Sequence, residues 1–191
     1  MKKLLLLLII PMFIFVGVIF YNYNHNITGS TPADAPWSPA QLQIPAIHVD
    51  APVMDVGRTA SGAMDAPVSK AYNSPYWSNV FWYDAGAAPG QPGNAVIAGH
   101  VNRVGGDPAV FWSLSSLQPG DAVTIKTNDG TSINYVVNQV VRYPANYPGQ
   151  EAINAVFGPT TGHHLNLITC SGVWTGSGYD ERLVVFTTQV G

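Results

Sequence analysis

Cys170 is the only thiol in 191 residues, and it ends an apolar run, Leu-Asn-Leu-Ile-Thr-Cys, that begins at Leu165. Ser171-Gly172 follows, so the run reads as a short buried strand that gives way to loop at the thiol. A side chain at such a point is held rigidly and still meets solvent. The stretch Asn94 to Ala98 has the same form and leads through Gly99 into His100, while Arg182 heads the run Leu183-Val184-Val185-Phe186. A thiol with an imidazole is the smallest set that makes an activated thiolate, and a guanidinium can hold a carbonyl oxygen or a developing oxyanion. Each residue alone also has a plainer reading: a small buried hydrophobe, a turn histidine, a solvated charge. The compartment separates the two readings.

Met1-Lys2-Lys3 precedes Leu4 to Phe20, a run of 17 residues without a charge. This length is at the short end of what crosses a bilayer core, and Tyr21 and Tyr23 extend it into the interfacial belt. Two lysines before the run and none soon after it predict a cytoplasmic N-terminus with the bulk of the chain outside. No small-x-small cleavage site lies just behind the run, so residues 1–21 read as a retained single-pass anchor. Residues 22–38, rich in Asn, Thr, Ser, Pro and Ala, read as a linker, and 39–191 as one domain. An exported domain with one cysteine has no internal disulfide, and a free thiol outside the cytoplasm is exposed to oxidation. Its retention therefore favours chemistry over packing.

The domain carries six basic and ten acidic residues, a net charge of 6 − 10 = −4, which argues against a nucleic-acid partner or a basic membrane-surface patch. No C-x-x-C, H-E-x-x-H or EF-hand pattern is present, and the adjacent His163 and His164 point to opposite faces of a strand, so no metal site is expected. No acidic cluster supports calcium activation, and no glycine-rich phosphate loop occurs.

Short alternating runs separated by turns dominate the domain. They include Gln41 to Ile47, His48 to Val56, Asn79 to Tyr83, Ala122 to Thr127 and Thr131 to Tyr143, the last two joined by Asn128-Asp129-Gly130. Residues 58–79 read as loop. Pro108 to Leu117, with Asp107 as N-cap and apolar residues at 110, 114 and 117, is the best helix candidate. Pro144 to Gly162 reads as a long irregular connection with a turn of helix at Glu151 to Phe157, of the kind that shapes a site. The sum is a mostly-β closed barrel of about eight short strands with one or two short helices, behind an N-terminal transmembrane helix.

With these residues in place the domain resembles the sortases, and class F sortases more than the housekeeping class. The resemblance is carried by Ile44-Pro45-Ala46-Ile47, Val49-Asp50-Ala51-Pro52-Val53, Pro92-Gly93, Ala95-Val96-Ile97-Ala98-Gly99-His100, Pro108-Ala109-Val110-Phe111, Pro119-Gly120-Asp121, Leu167-Ile168-Thr169-Cys170 and Arg182. The family pattern at the nucleophile is Thr-Leu-x-Thr-Cys, and Asn166 stands here at the first Thr. The resemblance implies an eight-stranded barrel in which Cys170 attacks a peptide carbonyl, His100 carries the proton, Arg182 holds the carbonyl or oxyanion and Thr169 helps bind the substrate backbone. It implies a C-terminal Leu-Pro-x-Thr-Gly sorting signal on a surface protein as substrate, cut between Thr and Gly, with an amine of a cell-wall precursor or a pilin lysine as acceptor. No cofactor is required.

Reference values near 8.5 for a thiol and 6.5 for an imidazole make the thiolate–imidazolium pair only about one per cent as populated as the neutral pair, which predicts slow turnover and a broad optimum near roughly pH 7 to 8. Two other readings use the same residues differently. An extracytoplasmic cysteine peptidase would hydrolyse without transfer, and a non-catalytic wall-binding β-domain would use Trp77, Trp82, Trp112 and Trp174.

Overall fold

A computed structural model describes residues 38–146 and 148–191. The anchor expected over residues 1–21 and all of the linker but Ser38 lie outside the described residues. Among the described residues no helix is long and apolar enough to cross a membrane.

Eight strands close into a barrel: β1 (Pro39–Ile44), β2 (Val49–Val56), β3 (Val80–Tyr83), β4 (Gly93–Gly99), β5 (Ala122–Thr127), β6 (Ser132–Pro144), β7 (His163–Trp174) and β8 (Tyr179–Gln189). Their order around the barrel is β1-β2-β3-β4-β7-β8-β6-β5, with β5 pairing back to β1. Two neighbouring pairs are parallel, β2 with β3 and β4 with β7. Parallel pairs need crossover connections, and these carry the long loops of the molecule: residues 57–79 between β2 and β3, and everything from His100 to Gly162 between β4 and β7. Both connections end up beside Cys170 and His100.

Because side chains alternate across a strand, β4, β7 and β8 each present two different faces. Ala95, Ile97, Leu165, Leu167, Leu183 and Val185 point inward and are sealed in the main core. Val96, Val184 and, partly covered, Ile168 and Phe186 form a second apolar cluster on the outer face. Burying one such side chain fully is worth about 1.5–3 kcal/mol, so the outer cluster also needs a cover. Helix α1 (Gly149–Phe157) supplies it with Val156 in that cluster and Ala152 buried beside it.

The helix expected over Pro108 to Leu117 is instead a series of turns with one 3₁₀ turn at Leu114–Ser116. Its backbone donors are taken by the neighbouring loop: Ala109 N donates to Val101 O, Val110 N to Trp77 O and Phe111 N to His100 O. Phe111 itself fills the space above Gly99, where an added Cβ would lie 2.5 Å from the ring. Tertiary partners thus outcompete the intrahelical bonds that the local pattern favoured. The regular helix is the one at 149–157, longer than the single turn expected at Glu151 to Phe157. The strand ending at Cys170 also runs on. Ser171 and Gly172 form a bulge rather than a stop, with Gly172 at φ 84° where a side chain would collide with Asp180, and β7 continues to Trp174.

Candidate active site

The outer face of β4, β7 and β8 positions the three residues singled out in the sequence. The parallel register pairs Ala98 with Ile168, and His100 and Cys170 each lie two residues further along, so both side chains emerge on the outer face at the same height. Across the antiparallel ladder Cys170 stands directly opposite Arg182. Directly opposed residues carry their Cβ atoms about 4.5–5.5 Å apart and on one face. Imidazole, thiol and guanidinium therefore form a row at one end of the outer face, with the thiol in the middle and half-buried.

His100 is held from three sides. Its Nε2 lies 2.8 Å from the carbonyl of Pro67, in the loop after β2. A carbonyl only accepts, so Nε2 carries the hydrogen there and the neutral ring keeps its lone pair on Nδ1. Trp77 and Phe81 meet the ring edge to face at centroid distances of 4.9 and 5.6 Å. The bond from Phe111 N to His100 O, 2.9 Å long, fixes the backbone of the same residue. His100 and Cys170 line one cleft of about 590 Å³ with Trp77, Val101, Trp174 and Tyr179.

Arg182 donates through Nη1 to the carbonyls of Tyr179 at 3.1 Å and Glu181 at 2.9 Å. One nitrogen of the planar fork is thereby fixed, and the remaining donors point to no protein acceptor among the described residues. Arg182 stands at the mouth of a second groove of about 510 Å³, floored by Ile168 and Val184 and walled by α1 and Tyr83. Arg142 approaches from the other side, bonded to Ser171 and 3.6 Å from Glu181, an exposed ion pair worth little by itself.

Thr169 lies one residue before the thiol and so on the opposite face. It is buried, and its hydroxyl donates to Gly99 O at 2.8 Å, tying β7 to the end of the strand that delivers His100. Of the four tryptophans considered as a binding face, Trp77 and Trp82 are buried, whereas Trp112 and Trp174 are exposed and each lines a cleft that includes Cys170, the Trp174 cleft together with His100. His163 and His164 take different partners, Gly90 O and the carbonyls of Thr161 and Thr187. Among the described residues no cluster of three His, Cys, Asp or Glu could hold a metal ion.

Asn166, which departs from the family Thr, and Asn94 have structural roles that the sequence reading does not assign. Asn166 is 1 % exposed, and its Nδ2 donates to Val156 O at 2.8 Å. Asn94 donates to Ala155 O at 3.3 Å and Gly158 O at 2.9 Å. The last carbonyls of a helix have no intrahelical donor, and these two amides satisfy them from the barrel below. They clamp α1, the wall of the groove, to the strands that carry His100 and Cys170. The one available signal was an amide inside each apolar run, at positions that face outward.

A family model described as the sortase domain matches residues 42–190. Solved structures with the same fold include sortase C-1 from Actinomyces oris, 20 % identical over 92 % of this chain and 82 % of that one, with a TM-score of 0.60. Sortase A from Corynebacterium diphtheriae is 20 % identical over 81 % of this chain and 61 % of its own, also at 0.60. A Clostridium perfringens sortase D5 transpeptidase is 21 % identical over 81 % and 79 %, at 0.57. No curated protein sequence matches significantly. The matched region takes in nearly all of the barrel together with His100, Cys170 and Arg182, and the chain belongs to the sortase family of cysteine transpeptidases.

Proposed function

We propose that the chain is a class F-like sortase that cleaves a Leu-Pro-x-Thr-Gly sorting signal between Thr and Gly and transfers the protein to an amine of the cell envelope. The observation that carries this reading is the row of His100, Cys170 and Arg182 that the strand registers bring together, with Arg182 also lining an apolar groove floored by Ile168 and Val184. The Cys170 thiolate attacks the Thr carbonyl carbon, forming a C–S bond while the carbonyl electrons move onto oxygen. The unengaged donors of Arg182 stabilise that oxygen. As the C–N bond breaks, His100 gives a proton to the departing glycine amine, leaving a thioester on Cys170. An acceptor amine then attacks the thioester, His100 takes its proton and the thiolate leaves. Thr169 serves substrate binding through its backbone, since its hydroxyl is occupied by Gly99.

The apolar segment at residues 1–21 supports an anchor that keeps this domain on the outer side of the cell membrane with the N-terminus in the cytoplasm. Its partners on this reading are surface proteins bearing the signal, with a wall precursor or a pilin lysine as acceptor. The test is product analysis of the full chain in detergent with a Leu-Pro-x-Thr-Gly peptide, with and without triglycine. A triglycine-extended product that Cys170→Ala fails to make is the expected result. Acid product alone, unchanged by triglycine, would replace transfer by hydrolysis and make the chain a peptidase.

A further inference from the structure

Helix α1 divides the outer face into two grooves of opposite chemistry. On the Cys170 side lies the apolar groove beside Arg182. On the other side lies a cleft of about 510 Å³ that the transpeptidation proposed above does not use, and its volume is within the range of small-molecule sites. The strand registers build its floor. Asn166 on β7 stands directly opposite Phe186 on β8, and Phe186 stands directly opposite Gln139 on β6. Directly opposed residues share a face, so an aromatic side chain sits between two amides in one row. Asn94 and His164, paired across β4 and β7, continue the floor, and Glu151 and Asn154 of α1 form the wall.

A bulge in β6 makes the row possible. Val137 pairs with Thr187 and Gln139 with Phe186, so Asn138 is an extra residue with no partner on β8. Val137 is sealed in the core, and regular alternation from it would turn Gln139 inward as well. The bulge instead leaves Asn138 and Gln139 both exposed and lining the cleft. Asn138 Nδ2 donates to the Thr188 hydroxyl at 2.6 Å, which fixes that amide. No side-chain partner engages the Gln139 amide among the described residues. Asn154 accepts from Gln150 Nε2 at 2.9 Å through Oδ1, and its own Nδ2 hydrogens stay free for a ligand.

The lining excludes most ligand classes. No Lys or Arg borders the cleft, so a phosphate or a polyanion finds no counter-charge. Strands β4, β7, β8 and β6 are each paired on both sides in the closed barrel, so no strand edge is free to take up an extended peptide. Among the described residues no group of three His, Cys, Asp or Glu could hold a metal. What remains is a neutral molecule with an apolar face and a rim of groups that both donate and accept. An amide offers both functions, and an aromatic ring offers a flat apolar surface. A pyranose has the matching surface, with C–H bonds on its face and hydroxyls around its edge. We propose that this cleft is a binding site for a short neutral oligosaccharide, stacked on Phe186 and hydrogen-bonded by Gln139 and Asn154. Asn166 lies four residues before Cys170 on the same face of β7, which at about 3.3 Å per residue is roughly 13 Å. A bound sugar on the far side of α1 therefore leaves the thiol and the apolar groove open, and the inference stands apart from the sorting-signal reading.

The experiment titrates the full chain, in a detergent without a sugar head group, with maltotriose and with tri-N-acetylchitotriose, followed by calorimetry and saturation-transfer NMR. Wild type is set beside Gln139→Ala and Phe186→Leu. We expect at least one of the two trisaccharides to bind with a Kd on the order of 1 mM. Gln139→Ala should weaken it about fivefold, the loss of about one hydrogen bond. Phe186→Leu, which keeps apolar bulk and removes the ring face, should weaken it about tenfold. Gln139 is exposed, so its replacement leaves the fold intact and the comparison holds even if Phe186→Leu does not fold. Preference for the acetylated sugar would place an acetamido group on the amide row, and equal binding would place ring hydroxyls there. Binding of neither trisaccharide, tighter binding of maltose 1-phosphate than of maltose, or affinity unchanged by Gln139→Ala would overturn the inference.

Discussion

The two faces of β7 differ by one residue in sequence and by everything in use. Leu165, Leu167 and Thr169 point into the barrel, buried and packed or hydrogen-bonded inside it. Asn166, Ile168 and Cys170 point outward into a region that α1 and two loops cover only in part. The inner face is sealed, packed against the other strands and against Phe111, Leu114 and Leu117 of the turns after His100. The outer face is open, and its residues hold the helix, floor the groove and present the thiol in turn. A strand fixed on one side can place reactive groups on the other to within the precision of its hydrogen-bond register, which is how His100, Cys170 and Arg182 meet from three separate parts of the chain.

The sharpest way to test that division is to change neighbours one at a time. Cys170→Ala should remove activity by at least about a thousandfold while shifting Tm very little, as measured by peptide cleavage and calorimetry. Arg182→Lys should cost on the order of a hundredfold in kcat, because a point charge cannot hold two hairpin carbonyls and an oxyanion together. Retention of most activity would remove Arg182 from the oxyanion role. Leu167→Ala, on the inner face, should act the other way, destabilising the fold by about 2–5 kcal/mol in denaturant titration with activity lost only in step with folding.

Asn166→Ala tests the boundary between the faces. Freeing the Val156 carbonyl should cost about 1–3 kcal/mol and loosen the groove wall, raising KM more than it lowers kcat. Asn166→Thr, which restores a donor, should recover part of both. The smallest effect concerns the inner core alone. Burial pushes the Tyr135 hydroxyl up to about 12, against a donated bond from Gly90 N that opposes the shift. A folded-state pKa raised above the unfolded value near 10 means stability that is complete below about pH 10 and lost as pH rises toward about 12. Tyr135→Phe should flatten that loss in alkaline denaturation followed by circular dichroism.

Much of the barrel was legible from local pattern. Turn residues punctuate the strands, and Asn128-Asp129-Gly130 marks the β5–β6 hairpin, with Gly130 at φ 87°. The three candidate site residues stand out in the sequence because each ends or heads an apolar run, and the strand registers bring them to one face. What failed was whatever depended on distant partners. The stretch from Pro108 to Leu117 has a helical pattern, but Trp77, His100 and Val101 take its amides. Ser171-Gly172 looked like a strand end, and only Asp180, whose Oδ1 accepts from Val173 N, shows it to be a bulge. The roles of Asn94 and Asn166 need the knowledge that α1 lies across the outer face, and no local sequence window contains it.

The most direct test of the account is intact-protein mass spectrometry of the full chain mixed with a Leu-Pro-x-Thr-Gly peptide, followed by peptide mapping. An acyl adduct equal to the peptide less its glycine-terminated fragment, located on Cys170 and absent from Cys170→Ala, is the predicted result. An adduct on any other residue, or cleavage that persists in Cys170→Ala, would contradict the claim that the outer face of β7 carries the chemistry.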